Sequence, residues 1–186
     1  MNATEATFDR GAVHGELERV RLEFRRLLEG AAPADLARRS QGTRWTNEQL
    51  LFHMLFGYLL VRPLLLVFSL FGHLPLSVSR VFARLLEAGT VPFDFINYLG
   101  PVGGARVLGR RRMADAFDRV IVDLHRRVDA ASAARLGHKM HYPYRWDPFF
   151  QDVMTVADLY RYPAKHFDFH RAQLTLPGGR CVRVSR

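Results

Sequence analysis

His166 and His170 are the residues in this chain whose type and spacing most clearly suggest chemistry. They lie four positions apart in a segment predicted to be helical, so their imidazoles point from the same helix face, one turn apart. Two neutral imidazoles placed in this way can bind one metal ion, with a third ligand supplied from elsewhere. His53, near the start of the most apolar stretch, is the candidate third ligand.

The polar face of this predicted helix extends beyond the two histidines. Tyr162 lies one turn before His166 and Gln173 lies near the far end, with aromatic residues on either side. A polar stripe inside a bundle needs hydrogen-bonding or metal partners, because unpaired buried polar groups are costly. Phe167 stands where a zincin-type protease carries its general base, which argues against that class.

The elements that would position these histidines are helices, because strand signals are weak along the whole chain. Apolar periodicity predicts four long helices, at about His14–Gly30, Thr46–Phe71, Arg106–Ala134 and Thr155–Leu174. We therefore expect an all-α fold, an antiparallel four-helix bundle with an apolar helical and loop insertion between its second and third helices. Residues 1–176 should form a single domain, followed by a tail at 177–186.

The second and last predicted helices have clear start signals. Thr46 with Gln49 forms a potential capping box, and Thr155 can cap the last helix in the same way. Two prolines lie inside these helices. Pro63 should kink or break the second helix, and Pro163 should bend the last one before His166.

The insertion contains two further predicted segments. Val78–Glu87 is typical of an amphipathic helix, and we expect its apolar side chains to face inward: Val78, Val81, Phe82, Leu85 and Leu86. Gly89–Gly104, rich in proline, glycine and aromatic residues, is predicted to be an irregular loop. It could cover a pocket as a lid or simply fill space.

The apolar stretch Leu50–Phe71 is as long as a membrane span. Arg62 would lie near its middle, where insertion costs about 2.5–3.5 kcal/mol, an amount that many leucines could offset. A helix that is surrounded on all sides inside a bundle has the same apolar composition. We favour the buried helix, and peripheral membrane contact remains an alternative.

Composition narrows the cellular setting. The chain is 48% hydrophobic and 24% charged, as expected for a globular protein. Its one cysteine, Cys181, cannot form a disulfide within the chain, and no signal peptide is recognisable, so a cytoplasmic location is predicted. The net charge of +9 comes mainly from arginine, but no helix-turn-helix or zinc-finger pattern is present, so sequence-specific nucleic-acid binding is not expected.

Together, three parts of the sequence resemble the DinB-like (DinB/YfiT) superfamily of metal-dependent four-helix bundles. Residues 42–53, GTRWTNEQLLFH, resemble its tryptophan, helix cap and first metal histidine. Residues 155–159, TVADL, resemble the start of its last helix, and residues 166–174, HFDFHRAQL, resemble its paired ligands. The order and separation of the three parts also fit.

The resemblance implies a function. It makes His53, His166 and His170 the ligands of a divalent transition metal such as Zn, Ni or Fe. It also implies an enzyme that activates a thiol or water for transfer, isomerisation or hydrolysis on a small-molecule substrate, with a low-molecular-weight thiol such as mycothiol or bacillithiol as a possible co-substrate. We expect Tyr162 to orient the bound group. A non-catalytic metal- or ligand-binding bundle is the alternative, and a homodimer is possible.

Overall fold

The computed structural model describes residues 8–177, so Cys181 and nearly all of the predicted tail lie outside the described residues. The elements in chain order are α1 (Arg10–Gly30), α2 (Pro33–Ala37), α3 (Asn47–Phe71), α4 (Leu76–Ala88), α5 (Thr90–Ala130), α6 (Ala133–Leu136), β1 (Lys139–His141), a 3₁₀ turn (Tyr144–Trp146), β2 (Val153–Thr155) and α7 (Val156–Arg171).

Four of these helices form the bundle. α1 and α3 each pack against both α5 and α7. Phe24, Phe117 and Phe167, all fully buried, meet in the centre, where the rings of Phe24 and Phe117 stack with centroids 4.2 Å apart. The all-α bundle predicted from the sequence is therefore confirmed.

The two predicted helix starts form as expected. The Gln49 amide donates to Thr46 Oγ1 at 3.3 Å, and the Thr46 amide donates back to the Gln49 side chain at 3.0 Å. The Thr155 amide likewise donates to the Asp158 carboxylate at 2.9 Å, and the Asp158 amide donates to the Thr155 hydroxyl. These boxes satisfy backbone donors that a helix leaves free, and they fix where α3 and α7 begin.

α3 continues through Pro63 to Phe71, so the expected break does not occur. Proline removes one intrahelical hydrogen bond, to the carbonyl of Leu59 four residues earlier. Leu59, whose carbonyl loses that partner, lies on the exposed side of the helix. α7 also runs uninterrupted across Pro163.

The segment Gly89–Gly104 is not a loop, and here the sequence-based prediction was wrong. It belongs to α5, which consists of a first arm (90–108) and a second arm (110–130), separated at Gly109. Gly109 has φ 63° and ψ 166°, a conformation that glycine adopts without steric cost. The prediction failed because a glycine in the first arm serves packing: a Cβ on Gly104 would lie 2.1 Å from the Phe52 ring.

α4 forms as predicted, but only part of its predicted inward face is buried. Phe82 packs against the core and stacks on Phe71, whereas Val81 and Leu85 are 59% and 67% exposed. The fully buried residues are Ser79 and Ala83, whose small side chains let α4 approach β1 closely enough for the His141 amide to donate to Ser79 Oγ at 3.0 Å.

α3 is long and apolar enough to cross a membrane by length and composition, but 39% of its most apolar stretch is buried inside the protein. The buried residues recur along its whole length, from Leu50 to Phe68, and pack in the core of the bundle. α3 is therefore one of the four helices of the bundle, and one of its faces is apolar and exposed.

A two-stranded antiparallel sheet, which the sequence did not reveal, holds the aromatic segment after α6. Met140 of β1 pairs with Met154 of β2. The connecting residues 142–152 include the 3₁₀ turn and extend to the first arm of α5, where Trp146 stacks on Phe93 with centroids 3.8 Å apart. These connecting residues form one wall of the cavity that contains the candidate site.

Candidate metal centre

His53, His166 and His170 come together inside the bundle, as the sequence predicted. His53 Nε2 lies 3.2 Å from His166 Nε2. One ring nitrogen from each of the three residues lies within 4.8 Å of the other two. The capped start of α3 positions His53, and one face of α7 carries the other pair. Such a group of nitrogens can coordinate a single metal ion.

The three imidazoles are held in the neutral form that binds metals. His53 is 7% exposed and His166 is 4% exposed, while His170 is half-buried. Burial, with a smaller contribution from His170, lowers the pKa of His53 to about 3. Burial also lowers the pKa of His166 and that of His170, because a low-dielectric site disfavours an imidazolium.

The hydrogen bonds of the rings also fit a bound cation. His170 Nδ1 donates to Gln173 Oε1 at 2.7 Å, which leaves its Nε2 with a free lone pair. The Nδ1 atoms of His53 and His166 are buried and have no hydrogen-bond partner among the described residues. The Nε2 atoms of these two rings, 3.2 Å apart, are the nitrogens left to coordinate an ion.

Two neighbours of the histidines fix the positions of the rings. The Trp45 ring stacks on His53 at 4.6 Å, and its indole nitrogen donates to the Tyr98 carbonyl of the first arm at 3.2 Å. Gly57 lies one turn after His53 on α3, where a Cβ would come within 3.1 Å of His166 Nδ1. The missing side chain at Gly57 thus makes room for the His166 ring.

The three histidines line a cavity of about 320 Å³. α3 contributes Leu60 and Leu64, and the first arm contributes Phe93 and Asn97. Most of the remaining wall is aromatic: Trp45, Phe56, Tyr142, Trp146, Phe149, Phe150, Tyr162 and Phe169. A volume and lining of this kind suit a small apolar molecule.

A family model of the DinB superfamily matches residues 16–174. This chain belongs to the DinB superfamily. Neither the curated proteins nor the solved structures that were searched gave a match. The superfamily is generally associated with metals, and the buried histidine cluster fits that association.

In this DinB-superfamily chain, Asp147 is the one charged residue, apart from the histidines, among the described residues that line the cavity. Its Oδ2 accepts a hydrogen bond from the Tyr162 hydroxyl at 3.1 Å and lies 3.7 Å from His166 Nε2. The Phe149 amide donates to the other carboxylate oxygen at 2.9 Å. Burial raises the pKa of Asp147 above its usual value.

Tyr162 lines the cavity as expected, but its hydroxyl is held by Asp147. Burial, together with that carboxylate, raises the pKa of Tyr162, so the phenol stays protonated and acts as a donor. A catalytic role for Tyr162 stays a prediction. Within this DinB-superfamily site, the sequence analysis missed Asp147 and Gly57. The only local signal for Asp147 was its place among aromatic residues and prolines.

Proposed function

We propose that this protein is a metal-dependent enzyme that activates a thiol or water for transfer or hydrolysis on a small apolar substrate. The observation that supports it is the position of three neutral imidazoles on the wall of an aromatic cavity, beside a buried carboxylate. His53, His166 and His170 would hold the ion. Imidazole ligands bind Zn, Ni and Fe alike, so the ligand set does not identify the metal.

Three neutral ligands leave a divalent ion its full charge and open positions, so it can lower the pKa of a bound water toward about 7 or hold a thiol as thiolate. The low pKa of His53 means that protons do not compete for its nitrogen above mildly acidic pH. A low-molecular-weight thiol, for example mycothiol, is the co-substrate we favour, because the superfamily resemblance implies one.

The protein's own groups supply the rest of the chemistry. Asp147 lies close enough to the histidines to accept the proton that a thiol or water releases, and burial raises its pKa, which makes it a stronger base than an exposed aspartate. Tyr162 orients that carboxylate through its hydrogen bond. The aromatic walls exclude water, and the negative charge of Asp147 disfavours anionic substrates.

Metal content tests the first part of this proposal. Purified protein should carry close to one transition-metal ion per chain by elemental analysis, and His170→Ala should lose it. His73→Ala removes an exposed histidine outside the cavity and serves as the matched control. Absence of metal from the wild type, or equal metal in the wild type and His170→Ala, would refute the site.

Thiol binding tests the second part. Cobalt(II)-substituted protein should develop a thiolate-to-cobalt charge-transfer band when a low-molecular-weight thiol is added. Asp147→Asn should keep the cobalt and lower thiol-dependent turnover by about 10²–10⁴-fold, the usual contribution of a positioned base. Stoichiometric metal without the band and without turnover of thiol or hydrolysable substrates would instead indicate a non-catalytic binding protein.

A further inference from the structure

Exposed apolar side chains are concentrated in one part of the chain. Among residues 8–177, sixteen large hydrophobic residues are exposed, and twelve of them lie between Leu59 and Val107. They belong to α3, to α4 with the turn before it, and to the first arm of α5, which are consecutive in sequence and in contact with one another. We call these twelve residues the insertion face: Leu59, Leu66, Leu70, Leu74, Val78, Val81, Leu85, Val91, Phe95, Ile96, Leu99 and Val107.

The insertion face is built on helices that are firmly packed on their other sides. In the first arm, Phe93 and Asn97 line the cavity, whereas Val91 and Phe95 are 80% and 64% exposed. In α4, Ser79 is buried against β1, whereas Val78, Val81 and Leu85 are exposed. Apolar exposure on this scale marks an interaction surface in soluble proteins.

The charge of this region distinguishes between possible occupants. Residues 59–107, which span the insertion face, contain four arginines and two acidic residues, Glu87 and Asp94, and three more arginines follow at 110–112. Four of the arginines are exposed and form no ion pair with any described residue: Arg84, Arg106, Arg111 and Arg112. Two copies of this chain meeting through the insertion face would bring these like charges together, which is unfavourable. An anionic lipid surface would complement them.

We infer that the insertion face docks on an anionic membrane surface, with α4 and the first arm lying in the headgroup region. An exposed apolar helix face bordered by arginine is the arrangement of helices that bind in the plane of a bilayer. This contact uses α4 and the first arm, which the sequence analysis had not connected with membranes. It does not require metal at the histidines, so His170→Ala should bind membranes as the wild type does.

Vesicle flotation tests the inference. The full chain should float with vesicles of phosphatidylcholine and phosphatidylglycerol in equal parts, and much less with phosphatidylcholine alone. The double variant Val81→Ser/Leu85→Ser should weaken partitioning by roughly tenfold or more, because two apolar side chains no longer enter the bilayer. Leu22→Ser/Val122→Ser alters two exposed apolar residues on α1 and the second arm and should bind normally.

A second pair of variants tests the electrostatic part. Arg84→Gln/Arg106→Gln should reduce binding to the anionic vesicles by roughly thirtyfold, at about 1 kcal/mol per arginine near the surface. Arg39→Gln/Arg119→Gln removes two exposed arginines outside the region and should leave binding unchanged. Each variant must keep the wild-type circular dichroism and melting temperature.

Several results would overturn the inference. Wild-type protein that stays at the bottom of the gradient with both vesicle types excludes docking. Equal loss of binding in the face variants and their controls would mean that the insertion face is not the contact. If the protein fails to float and sedimentation shows a dimer that Val81→Ser/Leu85→Ser dissociates, a second copy covers the face and the membrane proposal is wrong.

Discussion

Metal-free protein should lose stability as the pH falls below about 6.5, because the buried histidines resist protonation. His53 has a pKa of about 3 in the folded state, against about 6.5 in an unfolded chain. Between these values the unfolded state binds a proton that the folded state does not. The stabilisation linked to His53 is therefore fully present above pH 6.5 and declines as the pH falls toward 3.

The magnitude follows from the two pKa values. Moving from about pH 7.5 to about pH 5.5 should lower the free energy of unfolding by roughly 1.4 kcal/mol through His53 alone. His166, whose pKa burial also lowers, acts in the same direction. Urea unfolding of chelator-treated protein at the two pH values measures the change.

His53→Gln is the informative comparison, since glutamine does not titrate. The wild type should lose about 1.4 kcal/mol more than the variant between the two pH values. Equal losses in the two proteins would refute the reasoning, because they would mean that burial does not hold the His53 imidazole neutral.

Two further predictions concern the residues that position the histidines. Gly57→Ala should lower metal affinity by about 10–100-fold, as changes beside a ligand usually do, because the new Cβ displaces His166, whereas Gly15→Ala, with nothing within 4 Å, should leave metal titrations unchanged. Thr155→Ala removes the α7 cap and should lower the free energy of unfolding by about 1–2 kcal/mol. The melting temperature should fall by about 2–4 °C for each kcal/mol. Ser132→Ala removes only the cap of the four-residue α6 and should change the melting temperature much less. An equal change in melting temperature in the two variants would argue against the role of the α7 cap.

The features predicted correctly from the sequence are those encoded locally. A capping box occupies four consecutive residues, so Thr46 and Thr155 identify the helix starts whatever surrounds them. The four-residue spacing of His166 and His170 fixes their common face in the same way. His53 could be named as a candidate from its place in the most apolar stretch, but only the family resemblance joined it to the pair, because no local rule connects residues so far apart in sequence.

The errors arose where tertiary contacts override local preference. Gly104 and its neighbours suggested a loop, but the glycine is there because the Phe52 ring occupies the space of a side chain. α4 was oriented on the assumption that its apolar residues face inward, but Val81 and Leu85 are exposed and Ser79 and Ala83 are buried. Asp147 reaches the site because β1 pairs with β2. Strands of only three residues leave no recognisable pattern in a sequence, so this pairing could not be predicted.

Gly109 divides α5 into two arms that have different roles. The second arm belongs to the bundle that holds the imidazoles, whereas the first arm, redirected by a single left-handed residue, forms the outer boundary of the cavity. Substitutions at Phe93 or Asn97 in the first arm can therefore reshape the cavity while the histidines keep their places in the bundle. The shape of the cavity and the arrangement of the imidazoles can change independently, because each depends on its own stretch of helix.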